Sequence, residues 1–224
     1  MRKRLQERLA GLAGLLTLEV VGAGLIFLLA FALFFYLTRI VFVEHSMAFD
    51  DWAFARLDAL RAAVPDLTAW VRSITFFASM PFLVAAALLI PGFLLWRQHR
   101  REALIVFLAV VGSTVLNQLL KLHFHRTRPE SALFAQPGLS FPSGHAMIGS
   151  SLYAALAWLA WRHGQRGTAV AFILWAALIG ITRVYLHVHY ATDVTAGFAA
   201  GVVWMLLLRI LLRWRRRPRL SEAE

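Results

Sequence analysis

Lys121, Arg128, Ser143, Gly144, His145, Arg183, His189 and Asp193 are the residues of this 224-residue chain whose types and spacing could do chemistry together. They fall in three polar segments: KLHFHRTRP at 121–129, FPSGHA at 141–146 and TRVYLHVHYATD at 182–193. A phosphate ester needs its non-bridging oxygens held by fixed cations and backbone N–H groups, because its transition state spreads charge over them. Lys121, Arg128 and Arg183 supply three cations, two of them with the planar fork that suits phosphate. Pro142, Ser143 and Gly144 stand just before an apolar stretch that predicts a helix. Ser143 can cap that helix, and Gly144 lets backbone come close to the anion. The helix start then points its free N–H groups and its positive end at the phosphate.

The reaction also needs a nucleophile and an acid. His189 and Asp193 are four apart, hence on one face if a helix starts there. A carboxylate can hold one ring nitrogen of histidine, fixing the tautomer and leaving the other nitrogen free to attack phosphorus. His145 is the natural general acid for the departing oxygen, and then the base that activates water. This set is complete without a metal or any other cofactor. With no cysteine in the chain, a thiolate nucleophile and a Cys-based metal site are excluded. No motif position claims His123, His125, Arg126 or His187, and the ordinary reading of such residues near helix ends is an interfacial anchor.

The three segments resemble the type 2 phosphatidic acid phosphatase (PAP2) superfamily, whose pattern is Lys-x6-Arg-Pro, Pro-Ser-Gly-His and Ser-Arg-x5-His-x3-Asp. Lys121 with Arg128-Pro129, then Pro142-Ser143-Gly144-His145, then Arg183, His189 and Asp193 stand at matching gaps. Thr182 takes the place of the usual serine and keeps a hydroxyl. The resemblance implies His189 as nucleophile, His145 as acid and base, and Asp193 as its orienter. Lys121, Arg128, Ser143, Gly144 and Arg183 become the phosphate ligands. A six-helix membrane core over about 75–212 is implied as well, with a lipid phosphate or diphosphate as substrate. Undecaprenyl diphosphate comes first, then phosphatidylglycerol phosphate and phosphatidic acid. Two alternatives use the same groups: a phosphotransferase that passes the group to another acceptor, and a transporter that binds lipid phosphate without cleaving it. The transporter reading expects paired, interrupted repeats, and the sequence shows none.

These residues must be positioned by a membrane domain. The chain is 60% hydrophobic, with 17 Phe and 8 Trp, against about 45–50% apolar residues in soluble domains. Its net charge of +11 fits membrane orientation and contact with anionic lipid heads, not nucleic acid. A span needs about 20 apolar residues. Six stretches qualify, at about 19–38, 75–96, 103–121, 146–161, 168–182 and 194–212, and predict an all-α polytopic fold in a single domain over 1–224. Pro81 and Pro91 predict a kink in the second. MRKRLQER resembles the start of a signal peptide, but the apolar run behind it reaches Leu37 and is expected to stay as an anchor.

Basic residues gather at Arg2–Arg8, at Arg97, Arg100 and Arg101, at Arg162 and Arg166, and in the tail at 213–224. That puts both termini in the cytoplasm and the loops at 39–74, 122–145 and 183–193 on the periplasmic or extracellular side of the inner membrane. Residues 47–74 carry apolar positions at helical spacing among charges, broken at Pro65. They predict one or two interfacial helices, either a wall beside the site or a plain connector. Membrane lipids are the partners expected, with no obligate protein partner.

Overall fold

The structure is a computed structural model that describes residues 18–214; the basic start and the tail beyond it lie outside the described residues. Among the described residues, eight helices follow one another: α1 (Leu18–Phe42), α2 (Ala48–Ala63), α3 (Leu67–Phe76), α4 (Met80–Trp96), α5 (Arg100–Phe124), α6 (Gly144–Arg162), α7 (Arg166–Tyr185) and α8 (Ala191–Trp214). No strand occurs among the described residues. The protein is all-α and an integral membrane protein.

By length and composition, α1, α5, α7 and α8 can each cross a bilayer, and α3 with α4 makes a fifth candidate bent by 40°. The second expected span is therefore not one kinked helix over 75–96. It breaks between Phe76 and Met80, and Pro81 sits in the first turn of α4, where its missing N–H has no intrahelical partner to lose. Pro91 lies inside α4 without ending it. α6 has 19 residues but is not among these candidates, and it carries His145, Ser150, Ser151 and Tyr153. Its environment explains that composition, because it packs against α5, α7 and α8 and ten of its residues are buried.

The approach of α8 to α6 decides where the polar turns meet. A Cβ on Gly197 would lie 2.8 Å from the Ser143 carbonyl oxygen and 2.9 Å from Ala146 Cβ. One on Gly201 would lie 3.0 Å from the Met147 carbonyl. Two glycines four apart thus let the backbone of α8 lie directly on the first turns of α6, as small residues do in membrane helix pairs. The amphipathic segment forms two helices, α2 and α3, separated at Val64–Asp66 beside Pro65, as its pattern predicts. Both pack on α7, and α2 also on α8, so they lie over the turn that carries His189.

Candidate active site

α5 stops because His125 takes a left-handed conformation (φ 51°, ψ 29°), its N–H donating to the Lys121 carbonyl at 3.1 Å. Asn and His visit that region more readily than most residues, and a left-handed residue is a common way to end a helix. The chain then turns, carrying Arg126 and Arg128 back over the ends of α5 and α8. Lys121, in the last turn of α5, donates to the Leu139 carbonyl. From the opposite side, α6 starts at Gly144 and brings His145 in on its first turn. Lys121, Arg128, Gly144, His145 and His189 all line one cavity of about 460 Å³. Leu83, Leu122 and Ile148 add apolar wall to it.

His189 precedes α8 in the turn after Tyr185 and is 1% exposed. Its Nδ1 lies 3.2 Å from Ser140 Oγ and 3.5 Å from Asp193 Oδ2, while Ser140 Oγ donates to Asp193 Oδ2 at 2.5 Å. One hydroxyl has one proton, and Ser140 gives it to the carboxylate, so the imidazole must donate from Nδ1. That leaves a lone pair on Nε2, where the Arg128 Nη1 donates at 3.0 Å. Burial is the largest influence on this ring and holds its pKa down to about 3; Asp193 opposes that shift, and Arg128 and Arg183 reinforce it. A neutral imidazole follows, with Nε2 unprotonated and its lone pair held by Arg128. Arg128 also donates to the carbonyls of Val188 (2.7 Å), Gly138 (3.0 Å) and Pro137 (3.3 Å), which fix its fork beside that nitrogen. Burial also lowers the pKa of this guanidinium, against the pull of Asp193.

Arg183 is 1% exposed at the end of α7. Nη1 donates to Thr75 Oγ1 at 2.8 Å and Nη2 to Gln136 Oε1, while Nε is buried with no partner. With His145 and Arg72 it lines a second cavity of about 510 Å³, so His145 stands between the two. Ser143 occupies the position before α6, but its side chain makes no capping hydrogen bond there. Its Oγ is fully buried and unpartnered, and its N–H donates to the Asp193 carbonyl at 3.0 Å. The expected cap is therefore absent. The eight residues singled out by type and spacing therefore converge at one end of the helices.

Two functional candidates escape sequence reasoning. Ser140 bridges His189 and Asp193, yet nothing in its surroundings, Leu139 and Phe141, marks it. Arg126 is not an interfacial anchor: its side chain is 10% exposed and Nη1 lies 2.6 Å from Asp193 Oδ1. A cation two residues before the motif arginine was the available signal. His123 and His125 do not line the cavity. His187 packs outside it, its ring stacked on Phe54 at 4.1 Å, with Nδ1 2.8 Å from Ser131 Oγ. Its Nε2 lies 2.9 Å from Asp58 Oδ1 but outside hydrogen-bonding angles.

The sequence pattern of the PAP2 superfamily matches residues 102–217. Phosphatidylglycerophosphatase B of Bacillus subtilis (strain 168) is 30% identical over 152 residues, 65% of this chain and 75% of that protein. A lipid A 1-phosphatase of Rhizobium johnstonii is 37% identical over 119 residues, 47% of this chain and 46% of the relative. The putative undecaprenyl-diphosphatase YbjG of Escherichia coli (strain K12) is 27% identical over 163 residues, 69% and 80% of the two chains. Among solved structures, a transmembrane PAP2-type phosphatidylglycerolphosphate phosphatase from Bacillus subtilis superposes with a TM-score of 0.76 at 26% identity. That likeness covers 86% of this chain and 98% of the other.

Proposed function

The chain belongs to the PAP2 superfamily and is a lipid phosphate phosphatase, and we propose that it works through a phosphohistidine on His189. The observation that carries this is the hydrogen-bonded line Arg128–His189–Ser140–Asp193, ending at the cavity that His145 also lines. His189 Nε2 attacks phosphorus while Asp193, through Ser140, holds the Nδ1 proton and balances the charge that develops on the ring. Arg128, Lys121 and Arg183, with Ser143 Oγ and the first N–H groups of α6, hold the equatorial oxygens. His145 protonates the departing lipid oxygen and then takes a proton from the water that cleaves the P–N bond. Every positive charge in this scheme is a side chain, so phosphate release is expected to persist in excess EDTA.

The substrate is a lipid whose terminal phosphate enters the cavity while its chains follow the apolar wall. Undecaprenyl diphosphate, giving undecaprenyl phosphate, is the first choice. Phosphatidylglycerol phosphate is the second, favoured by the similarity to the Bacillus subtilis phosphatase. We further assign six crossings: α1, the bent α3–α4 pair, α5, α6, α7 and α8. α6 spans about 28 Å at about 1.5 Å per residue, close to the bilayer core, and its neighbours shield it from lipid. The site then faces away from the cytoplasm. Purified protein in detergent, given prenyl diphosphates and glycerophospholipid phosphates side by side, tests the reading: release from none of them refutes it, and the order of rates names the substrate. Transfer to an added lipid or sugar acceptor instead of water identifies a transferase.

A further inference from the structure

α2 carries a carboxylate that the reaction scheme does not use. Asp50, in its first turn, is 0% exposed and lies far along the chain from every motif residue. Its Oδ1 accepts the Thr192 N–H at 2.8 Å, and its Oδ2 accepts Thr192 Oγ1 at 2.8 Å and Arg126 Nη2 at 3.0 Å. Arg126 in turn donates from Nη1 to Thr192 Oγ1 at 2.7 Å and to Asp193 Oδ1 at 2.6 Å. Its guanidinium carbon lies over the Tyr190 ring, 3.9 Å from the centroid. One guanidinium is therefore shared by two buried carboxylates, and Asp193 is left with Oδ1 on Arg126 and Oδ2 on Ser140 and the Tyr190 N–H.

We propose that Asp50 is a positioning residue for the reaction: through Arg126 it sets the rotation and the effective charge of Asp193, and so the basicity of His189. The inference rests on the phosphohistidine reading. Arg126 has a planar fork, and a fork facing one carboxylate closes on both of its oxygens. Asp50 draws one arm of the fork away. Without that second carboxylate, Arg126 closes on Asp193, pulls Oδ2 off Ser140 and neutralises the charge that must face the imidazole as the P–N bond forms. Groups that orient a reacting side chain from behind are commonly worth about 10- to 100-fold in rate. Asp50 does not touch the cavity that takes the phosphate, so its loss acts on turnover and not on substrate capture.

Asp50→Asn tests this with little change in shape: an amide oxygen still accepts the Thr192 N–H, while the charge is lost and the acceptor that faces Arg126 becomes an N–H donor. The expected result is kcat lower by about tenfold or more, with KM within about twofold. In an Arg126→Ala background the same Asn substitution is expected to add no further loss, since the pair acts as a unit. Arg126→Lys, which keeps the charge but loses the fork, gives a second route to the same kcat-selective loss should Asp50→Asn fail to give monodisperse protein. Unchanged kcat in both single variants, a loss confined to KM, or additive losses in the double variant would overturn the proposal. A wild-type protein that releases no phosphate from any lipid phosphate overturns the phosphohistidine reading instead. The clamp is then judged by hydrogen exchange of the amides at 190–194, expected faster in both variants.

Discussion

Two imidazoles of the same chemistry stand in different surroundings. His189 is enclosed, its Nδ1 committed to Ser140 and its Nε2 facing Arg128, whereas His145 stands at the start of α6 between two cavities. Replacing either by alanine is expected to abolish phosphate release while the detergent-solubilised protein stays folded, checked by phosphate assay and melting temperature. Asp193→Asn keeps the shape but not the charge, and a loss of about 10³-fold or more is expected by analogy with other histidine–carboxylate pairs. An acid-labile phosphate trapped on any residue other than His189 would remove the nucleophile assignment. Acid stability gives a separate handle on the same ring. The folded imidazole takes a proton only near pH 3, whereas the unfolded one takes it near 6.5. Between those values the unfolded chain binds more protons, so stability falls as the pH drops through that window, by at most about 1.4 kcal/mol per pH unit. His189→Gln should flatten the fall of melting temperature between pH 6.5 and 4; an unchanged slope would show that the ring does not titrate as described. At this scale the sequence was legible where bond-making fixes both residue type and spacing, as in Lys121 to Arg128 and His189 to Asp193. It was silent on Ser140 and Asp50, because a serine in a loop and an aspartate in an amphipathic helix look like ordinary solvent-facing residues until the chain folds back on them.

The helices put these side chains within reach through close packing that periodicity alone does not show. α8 lies on the first turn of α6 because Gly197 has no side chain; a methyl there would meet the Ser143 carbonyl at 2.8 Å, which is backbone and cannot swing aside. Gly197→Ala is therefore expected to push α8 from α6, costing about 1–3 kcal/mol of stability. It should lower phosphate release as well, since Ser143, Gly144 and Asp193 all sit at that contact. Gly92→Ala in α4, where an added methyl meets nothing within 4 Å, serves as the control and should leave melting temperature and activity intact. Equal behaviour of the two would show that the α6–α8 approach does not hold the site. Helix existence was readable from apolar runs, and the elements extend one to four residues beyond most expected ends because polar turns such as Arg100–Glu102 and Lys121–Phe124 continue the helix past the apolar stretch. The bend before α4 was not readable as a break. A proline at the start of a new helix and one within an old helix give the same local sequence, and α3 meets α4 at a 40° bend while packing on α7.

Among the described residues, charge is distributed unevenly between the two ends of the helices. At the end away from the cavity, Arg97, Arg100, Arg101, Arg162, Arg166 and Arg209 gather around the turns between α4 and α5 and between α6 and α7, with Glu102 the acidic group there among the described residues. At the cavity end, Arg126 pairs with Asp50 and Asp193, Arg61 with Asp58, Arg128 and Lys121 reach backbone carbonyls, and Arg183 reaches Thr75 and Gln136. Cytoplasmic loops carry the excess of Lys and Arg, so the orientation proposed above expects the arginine-rich end to face inward and the candidate site to face the other compartment. Because the chain has no cysteine, single cysteines can report on this directly. Ser131→Cys, on the exposed loop beside the cavity, is expected to react with a membrane-impermeant maleimide in intact cells. Gln165→Cys, in the exposed turn between α6 and α7, is expected to react only after the membrane is opened. The reverse pattern would put the site in the cytoplasm, and labelling of both residues from one side would mean that α6 does not cross the membrane, because these positions flank that helix.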